Sequence, residues 1–339
     1  PESLDTEAAD GFTDSKDFDS DQQQLVDHSA GTIERIALPA GSATAGDLEQ
    51  EAAPQAPRLA TFSRPPPIQW RVNSFTALTR GVHQPTNAGA AAVGDDPILE
   101  FPAGSHIGLL LHSLLENLDF QGDIEVQCRN LFARYMAQAG LSSDHEGTLC
   151  RWLENIMRTP MDGASLTLDK IGQQSRLQEL AFDFALDLLD IDALNEFMQR
   201  RSKQPLQPIS SSDFRGMVTG IIDLVFEYQG RYYLADYKSN YLGSELQDYN
   251  PQRLQQAMLD RRYDLQSLLY ALALHRLLRL RLPNYDYEQH FGGSYYLFLR
   301  AMRPAQANRY GIHFERPATD TIEQFDALFS YSAAPVLTA

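Results

Sequence analysis

The stretch from Gly216 to Ser239 constrains this chain more than any other. Val218, Ile221, Ile222, Leu224, Val225 and Phe226 form a β-rich run, Gln229-Gly230 breaks it, and Tyr232, Tyr233, Leu234 and Tyr237 form a second run. Two such runs about a glycine-containing break predict a β-hairpin. With Gln229-Gly230 as a two-residue loop, Tyr228 pairs with Arg231, and counting back along both strands pairs Asp223 with Asp236. The two carboxylates then face each other on one side of the sheet, with Cβ atoms about 4.5–5.5 Å apart. A four-residue loop keeps this register and a three-residue loop breaks it. Lys238, two residues past Asp236, shares their face.

Both runs are apolar, so the hairpin is expected to be buried. Like charges opposite one another in such a place are destabilising unless the pair shares a proton or holds a cation. A hard divalent ion such as Mg²⁺ suits two carboxylates. Such an ion polarises a phosphoryl oxygen and lowers the pKa of a water, and Lys238 adds a point charge able to offset charge developing on a phosphate. Together these groups form a set for phosphodiester hydrolysis. The plain alternative is a strand pair carrying one ordinary Asp–Lys ion pair.

Other residues qualify by position. Ser105 is expected to cap a helix running to about Asp119, with Leu109, Leu110, Leu111, Leu114 and Leu115 around most of its circumference. His112 lies among these leucines, either hydrogen-bonded in the core or ligating a metal through one ring nitrogen. Glu116, one turn on, could orient it. Glu179, in a strand expected near 178–186, could add a third carboxylate or face solvent. Gln266 and Tyr270 stand four apart, with Tyr263 on the same face of a helix expected over 252–282 and ending at Pro283. That helix is either a core stripe or a wall of the site. Arg261, Arg262, Arg276, Arg279, Arg281 and Arg300 are the local basic groups, each a solvated charge or a phosphate contact.

Further helices are expected near 124–139 and 147–158, and strands near 294–299 and 310–314. Mixed strands with flanking helices give an α/β class. Residues 1–66 hold 13 Asp/Glu against 4 Lys/Arg with no sustained apolar period, and they read as a disordered acidic linker closed by Arg64-Pro65-Pro66-Pro67. A second loose stretch spans about His83–Asp96, and the folded domain occupies 67–335.

The formal charge of −17 gives no support to indiscriminate polyanion binding. Cys128 and Cys150 are expected to be buried, reduced thiols of a cytoplasmic protein, too few for a four-cysteine zinc or iron–sulfur site. No apolar run reaches the length of a membrane span, no secretory leader is visible, and the start at Pro1 suggests a piece of something longer. The chain has no Gly-Lys dipeptide and hence no phosphate-binding loop of the G-x-x-x-x-G-K type, so ATP binding and unwinding are not expected of it.

Several segments, in order, resemble one family. They are Trp70–Phe75 (WRVNSF), Leu111–Glu116 (LHSLLE), Gly220–Phe226 (GIIDLVF), Gly230–Asn240 (GRYYLADYKSN), Arg262–Gln266 (RYDLQ) with Tyr270, and His290–Gly293 (HFGG). Over about 69–330 the chain looks like the C-terminal nuclease domain of RecB subunits of bacterial RecBCD helicase–nucleases, of the PD-(D/E)XK superfamily. The resemblance implies a restriction-endonuclease-like mixed sheet flanked by helices. It implies Mg²⁺, as one or two ions, held by His112, Asp223, Asp236 and the Tyr237 backbone carbonyl. Lys238 would be the catalytic lysine, Glu179 a further acidic site residue, and Gln266, Tyr270 and Tyr263 would line the site or contact DNA. Around Glu179 the sequence departs from the family pattern. The implied activity is an exodeoxyribonuclease V type of DNA cleavage, mainly of single strands, in recombinational repair. The implied partners are RecC, RecD, the rest of RecB and RecA. A related AddA-type nuclease, or a catalytically silent module that docks RecA or a partner subunit, are the alternatives.

Overall fold

The computed structural model describes residues 15–29, 31, 33–36, 70–79, 96–210, 214–305 and 309–329. The chain divides into two units, Pro1–Ser63 and Arg64–Ala339. Within the first, α1 (Ser15–His28) is helical where a featureless linker was expected. The composition argument addressed burial alone. Locally, a run of glutamines favours helix, and Gln23 Nε2 donates to Asp27 Oδ1 one turn on at 3.0 Å. Most of the rest of the expected linker, and the loose stretch up to Asp95, lie outside the described residues.

The second unit is built on a mixed sheet of β1 (Trp70–Ser74), β2 (Arg176–Leu189), β3 (Phe214–Tyr228), β4 (Arg231–Lys238), β5 (Phe291–Phe298) and β6 (Ile312–Glu315). β3 is its axis. Its first half pairs with β1 in parallel, and its last residues pair with β4 antiparallel. Nearly all of it pairs antiparallel with β2. Residues near Val218 pair with both β1 and β2, and Leu224–Phe226 with both β2 and β4, so β1 and β4 lie end to end along one edge of β3. β5 adds in parallel to β4 and β6 antiparallel to β5. The β3–β4 turn has positive φ at both Gln229 and Gly230, the signature of a two-residue type I′ hairpin, and it sets the expected register from Tyr228↔Arg231 to Leu224↔Ala235.

Helices cover both faces. In chain order they are α2 (Phe75–Leu78), α3 (Ser105–Asn117), α4 (Ile124–Tyr135), α5 (Glu146–Arg158), α6 (Ile191–Arg201), α7 (Pro251–Asp260), α8 (Tyr263–Arg281), α9 (Tyr287–His290) and α10 (Thr319–Leu328). α3, α4 and α5 bury Leu111, Leu115, Phe132, Trp152 and Leu153 against Leu224, Phe226, Ala235 and Tyr237 of the sheet. α6, α8 and α10 bury Leu194, Leu265, Leu269 and Phe325 against its other face, at Val218, Ile222, Val225 and Leu234. α8 is apolar around most of its surface, as a helix buried on several sides must be.

Three expectations change. Gly104, not Ser105, is the N-cap of α3, and no side chain caps that end. The helix expected over 252–282 is two helices, because Arg262 adopts a left-handed conformation (φ 55°) between them. The Arg262 side chain is buried and donates to the Gln207 carbonyl at 2.7 Å, so tertiary contacts hold a break that periodicity does not show. α6 and α10 were not foreseen.

Several of the basic candidates turn out to be structural. Arg276 bonds Asp326 and the Phe329 carbonyl. Arg300 is fully buried and donates to the carbonyls of Ile98, Leu99, Phe101, Pro102 and Ser239. It thereby ties the segment leading into α3 to the end of β4. Cys128 and Cys150 are buried and unpaired. Arg300→Met should cost about 3–5 kcal/mol in urea unfolding, since it strands several buried carbonyls. A loss below ~1 kcal/mol would mean that these carbonyls find other donors.

Candidate active site

Side chains on a strand alternate between faces, so residues of one parity share a face. In β2 and β3 that rule breaks at one shared rung. Leu180, Phe182, Phe184 and Leu186 pack on the α8 side. Gln178, of the same parity, instead donates to the Leu115 carbonyl of α3 at 2.7 Å. Along β3, Val218 and Ile222 pack on the α8 side, whereas Leu224 and Phe226 pack on the α3 side. The pairs Gln178↔Leu224 and Leu180↔Ile222 bracket the crossing, and between them stand Glu179 and Asp223. Glu179 has φ 51°. A left-handed residue inside a strand costs on the order of 1–3 kcal/mol and is held only where its surroundings require it.

At this crossing β3 and β4 also separate. Their ladder ends at Leu224↔Ala235. One residue further on, the Tyr237 N–H donates to Asp223 Oδ2 at 2.6 Å. The expected facing rung of Asp223 and Asp236 is therefore not a ladder pair. The register is the anticipated one, but the two carboxylates go to different neighbours.

Asp223 meets Glu179 and His112. One ligand atom from each of these three residues lies within 4.8 Å of the others. His112 Nδ1 is 3.5 Å from Asp223 Oδ1, and its Nε2 is 3.1 Å from the Tyr237 carbonyl oxygen. Imidazole, two carboxylates and a backbone carbonyl thus converge from α3, β2, β3 and β4. Asp236 meets Lys238, whose Nζ is 2.5 Å from Asp236 Oδ2 in an ion pair held off hydrogen-bond angles. Lys238 Nζ also donates to Gln266 Oε1 at 3.0 Å and lies 4.0 Å from the centre of the Tyr263 ring. Gln266 in turn donates to the Tyr270 hydroxyl at 3.0 Å and accepts from the Tyr296 hydroxyl at 3.3 Å.

The electrostatics show surplus negative charge. Burial pushes the Asp236 carboxyl up to about 6, with Asp223 adding to the shift against the opposing pull of Lys238. Burial likewise raises Glu179, assisted by Asp223 and Glu116. Burial lowers the His112 imidazole, but the Asp223 and Asp236 charges outweigh it and leave the ring raised. Burial also works against the charged form of Lys238, and Asp236 and Tyr263 more than compensate. An oxygen-rich donor set with one imidazole and no thiolate, at His112, Glu179 and Asp223, fits a hard divalent cation.

Every site residue anticipated above lies in this region, in two clusters rather than one. Glu179, the least expected, sits at the centre of the first. Tyr296 was missed. It reaches the second because β5 pairs with β4 in parallel, Asp236 opposite Tyr296, a crossover connection that leaves no local trace.

Comparison with known proteins gives the family. Residues 90–334 match the model of the PD-(D/E)XK nuclease superfamily, and the chain belongs to that superfamily. Within it the domain is of the RecB type. It is 36% identical over 288 residues to the RecBCD enzyme subunit RecB of Escherichia coli K12, covering 80% of this chain and 24% of that protein. It is 36% identical to RecB of Haemophilus influenzae over 68% of this chain and 19% of that protein, and 32% identical to RecB of Mycobacterium tuberculosis H37Rv over 71% and 26%. The chain thus spans about a quarter or less of the length of these relatives.

Glycine adopts φ near 50° without strain. Glu179→Gly should therefore leave chemical-denaturation stability unchanged or raise it by up to ~1 kcal/mol, while weakening Mg²⁺ binding measured by calorimetry. Lost stability with unchanged ion binding would make Glu179 a strand-holding residue instead of a ligand.

Proposed function

We propose that this domain is a Mg²⁺-dependent deoxyribonuclease that hydrolyses phosphodiester bonds, mainly in single-stranded DNA, as the cutting part of a RecBCD-type enzyme in double-strand-break repair. The observation that carries the reading is the convergence of His112, Glu179 and Asp223 beside the Asp236–Lys238 pair. His112, Asp223, Asp236, Glu179 and the Tyr237 carbonyl are the groups that would hold the ion. A divalent ion there would polarise a phosphoryl oxygen and lower the pKa of a water.

The protein's own groups supply the remainder. Gln266 and the Tyr263 ring fix the Lys238 ammonium at one place, so its charge is already in position when negative charge grows on the phosphate. Asp236 keeps that ammonium charged despite burial. The Asp223 carboxylate is oriented by the Tyr237 N–H, leaving its other oxygen toward His112.

RecC, RecD, the remainder of RecB and RecA are the partners this reading assigns, in the cytoplasm. Among the described residues no helix is long and apolar enough to cross a membrane. The acidic surface suits a nuclease whose strand is delivered to it, since a net charge of −17 repels a polyanion.

Circular single-stranded DNA tests the chemistry without a motor. The wild-type chain should cut it with Mg²⁺ and not with a chelator. Asp223→Asn should lose both ion binding and cleavage, by at least about a hundredfold. Lys238→Gln should keep ion binding and lose cleavage by about 10²–10³-fold. A wild-type chain that stays folded, cuts nothing and shows no Mg²⁺ site sensitive to Asp223→Asn would be a docking module.

A further inference from the structure

Beside the acidic cluster, on the α8 side of the crossing, lies a groove of about 550 Å³. Phe182 and Tyr270 wall it, their ring centroids 5.6 Å apart and nearly perpendicular. Gly220 and Ile221 form its floor, and Ile221 is 49% exposed although apolar. Gln266 lines the groove, and this same side chain accepts a hydrogen bond from Lys238. One side chain therefore stands between the groove and Lys238. Phe182 is three residues from Glu179 on β2, and Ile221 is two residues from Asp223 on β3.

The groove's chemistry is unlike that of a phosphate track. Among the described residues no lysine or arginine lines it, and the one charged residue there is Asp183. A phosphate there would meet only negative charge. Apolar ring faces edged by the Thr219 hydroxyl and the Gln266 amide suit a flat, uncharged heterocycle with hydrogen-bonding edges. Gly220 serves the same end, since a Cβ there would stand 2.5 Å from Phe182 Cζ. The bare backbone allows that ring to lie down against β3.

We propose that this groove is a nucleobase subsite, in which the Phe182 ring stacks on one base of a single strand while the neighbouring phosphate reaches Lys238 and the acidic cluster. The inference deepens the nuclease reading and rests on it. A base held in a duplex must first be unpaired and unstacked to enter, at a cost in free energy, so the subsite supplies a structural reason for preferring unpaired DNA.

The test uses a short oligothymidylate carrying one central 2-aminopurine, in chelator so that nothing is cut. The wild-type chain should quench the fluorescence of the analogue by stacking. Phe182→Leu should abolish the quench and weaken binding about tenfold, the scale of one base–aromatic stack. Gly220→Ala, which keeps the ring but displaces it, should do the same, so a folding defect in one variant does not decide the matter. In Mg²⁺, an abasic residue in place of the stacked base should slow wild-type cleavage and leave Phe182→Leu cleavage unaffected. An equal quench by wild type and both variants, or no quench by any of them, overturns the subsite even if Mg²⁺-dependent cutting is found. A Phe182-dependent quench without any cutting would retain the subsite and refute the nuclease reading.

Discussion

The architecture turns on one rung, where β2 and β3 exchange faces together. A strand can change the face it presents only by leaving β geometry at some residue, and here Glu179 does so in the left-handed region. Its neighbour across the rung is Asp223. The exchange ends the β3–β4 ladder, frees the Tyr237 N–H to orient a carboxylate, and lets His112 approach from α3. Local backbone cost and concentrated negative charge thus fall at the same place. A protein retains such a combination where the site has a use for it.

Charge arranges the rest. Burial and mutual repulsion raise the carboxyl groups of Asp236 and Glu179, and the protein answers with one ammonium, Lys238, and one imidazole. His112 meets Asp223 and Lys238 meets Asp236, which divides the site into a cluster suited to holding an ion and a pair suited to meeting a phosphate. Gln266, Tyr263 and Tyr296 then hold the lysine from the α8 side. The pairwise picture of two facing aspartates with an ion between them is simpler than this arrangement, though it names the same residues.

What could be read from the sequence was local. The Gln229-Gly230 turn specifies its own φ values and fixes the register out to Leu224↔Ala235, so that much of the hairpin could be placed before any coordinates, but not the parting of Asp223 from Asp236 beyond it. The leucine pattern around His112 was legible for the same reason. What could not be read depends on partners distant in the chain. Arg262 is held left-handed by the Gln207 carbonyl, Tyr296 reaches the site through a parallel crossover, and Glu179 is bent by the needs of the rung it shares. Alternation along 178–186 shows an ordinary strand and gives no sign of the inversion. The family resemblance is weakest around Glu179, so both routes named the residue and neither showed its left-handed backbone.

The Arg300 spokes carry a consequence for how the domain comes apart. One guanidinium joins the segment that feeds α3 to the carbonyl at the end of β4. His112 rides on the first of these, Lys238 on the second. Sliding α3 off the sheet therefore requires withdrawing a fully buried cation from its ring of carbonyl dipoles, which makes partial opening as costly as a large fraction of complete unfolding. The spacing between the imidazole and the lysine is then a property of the whole domain, and heat or denaturant should erode both together instead of loosening the helix first.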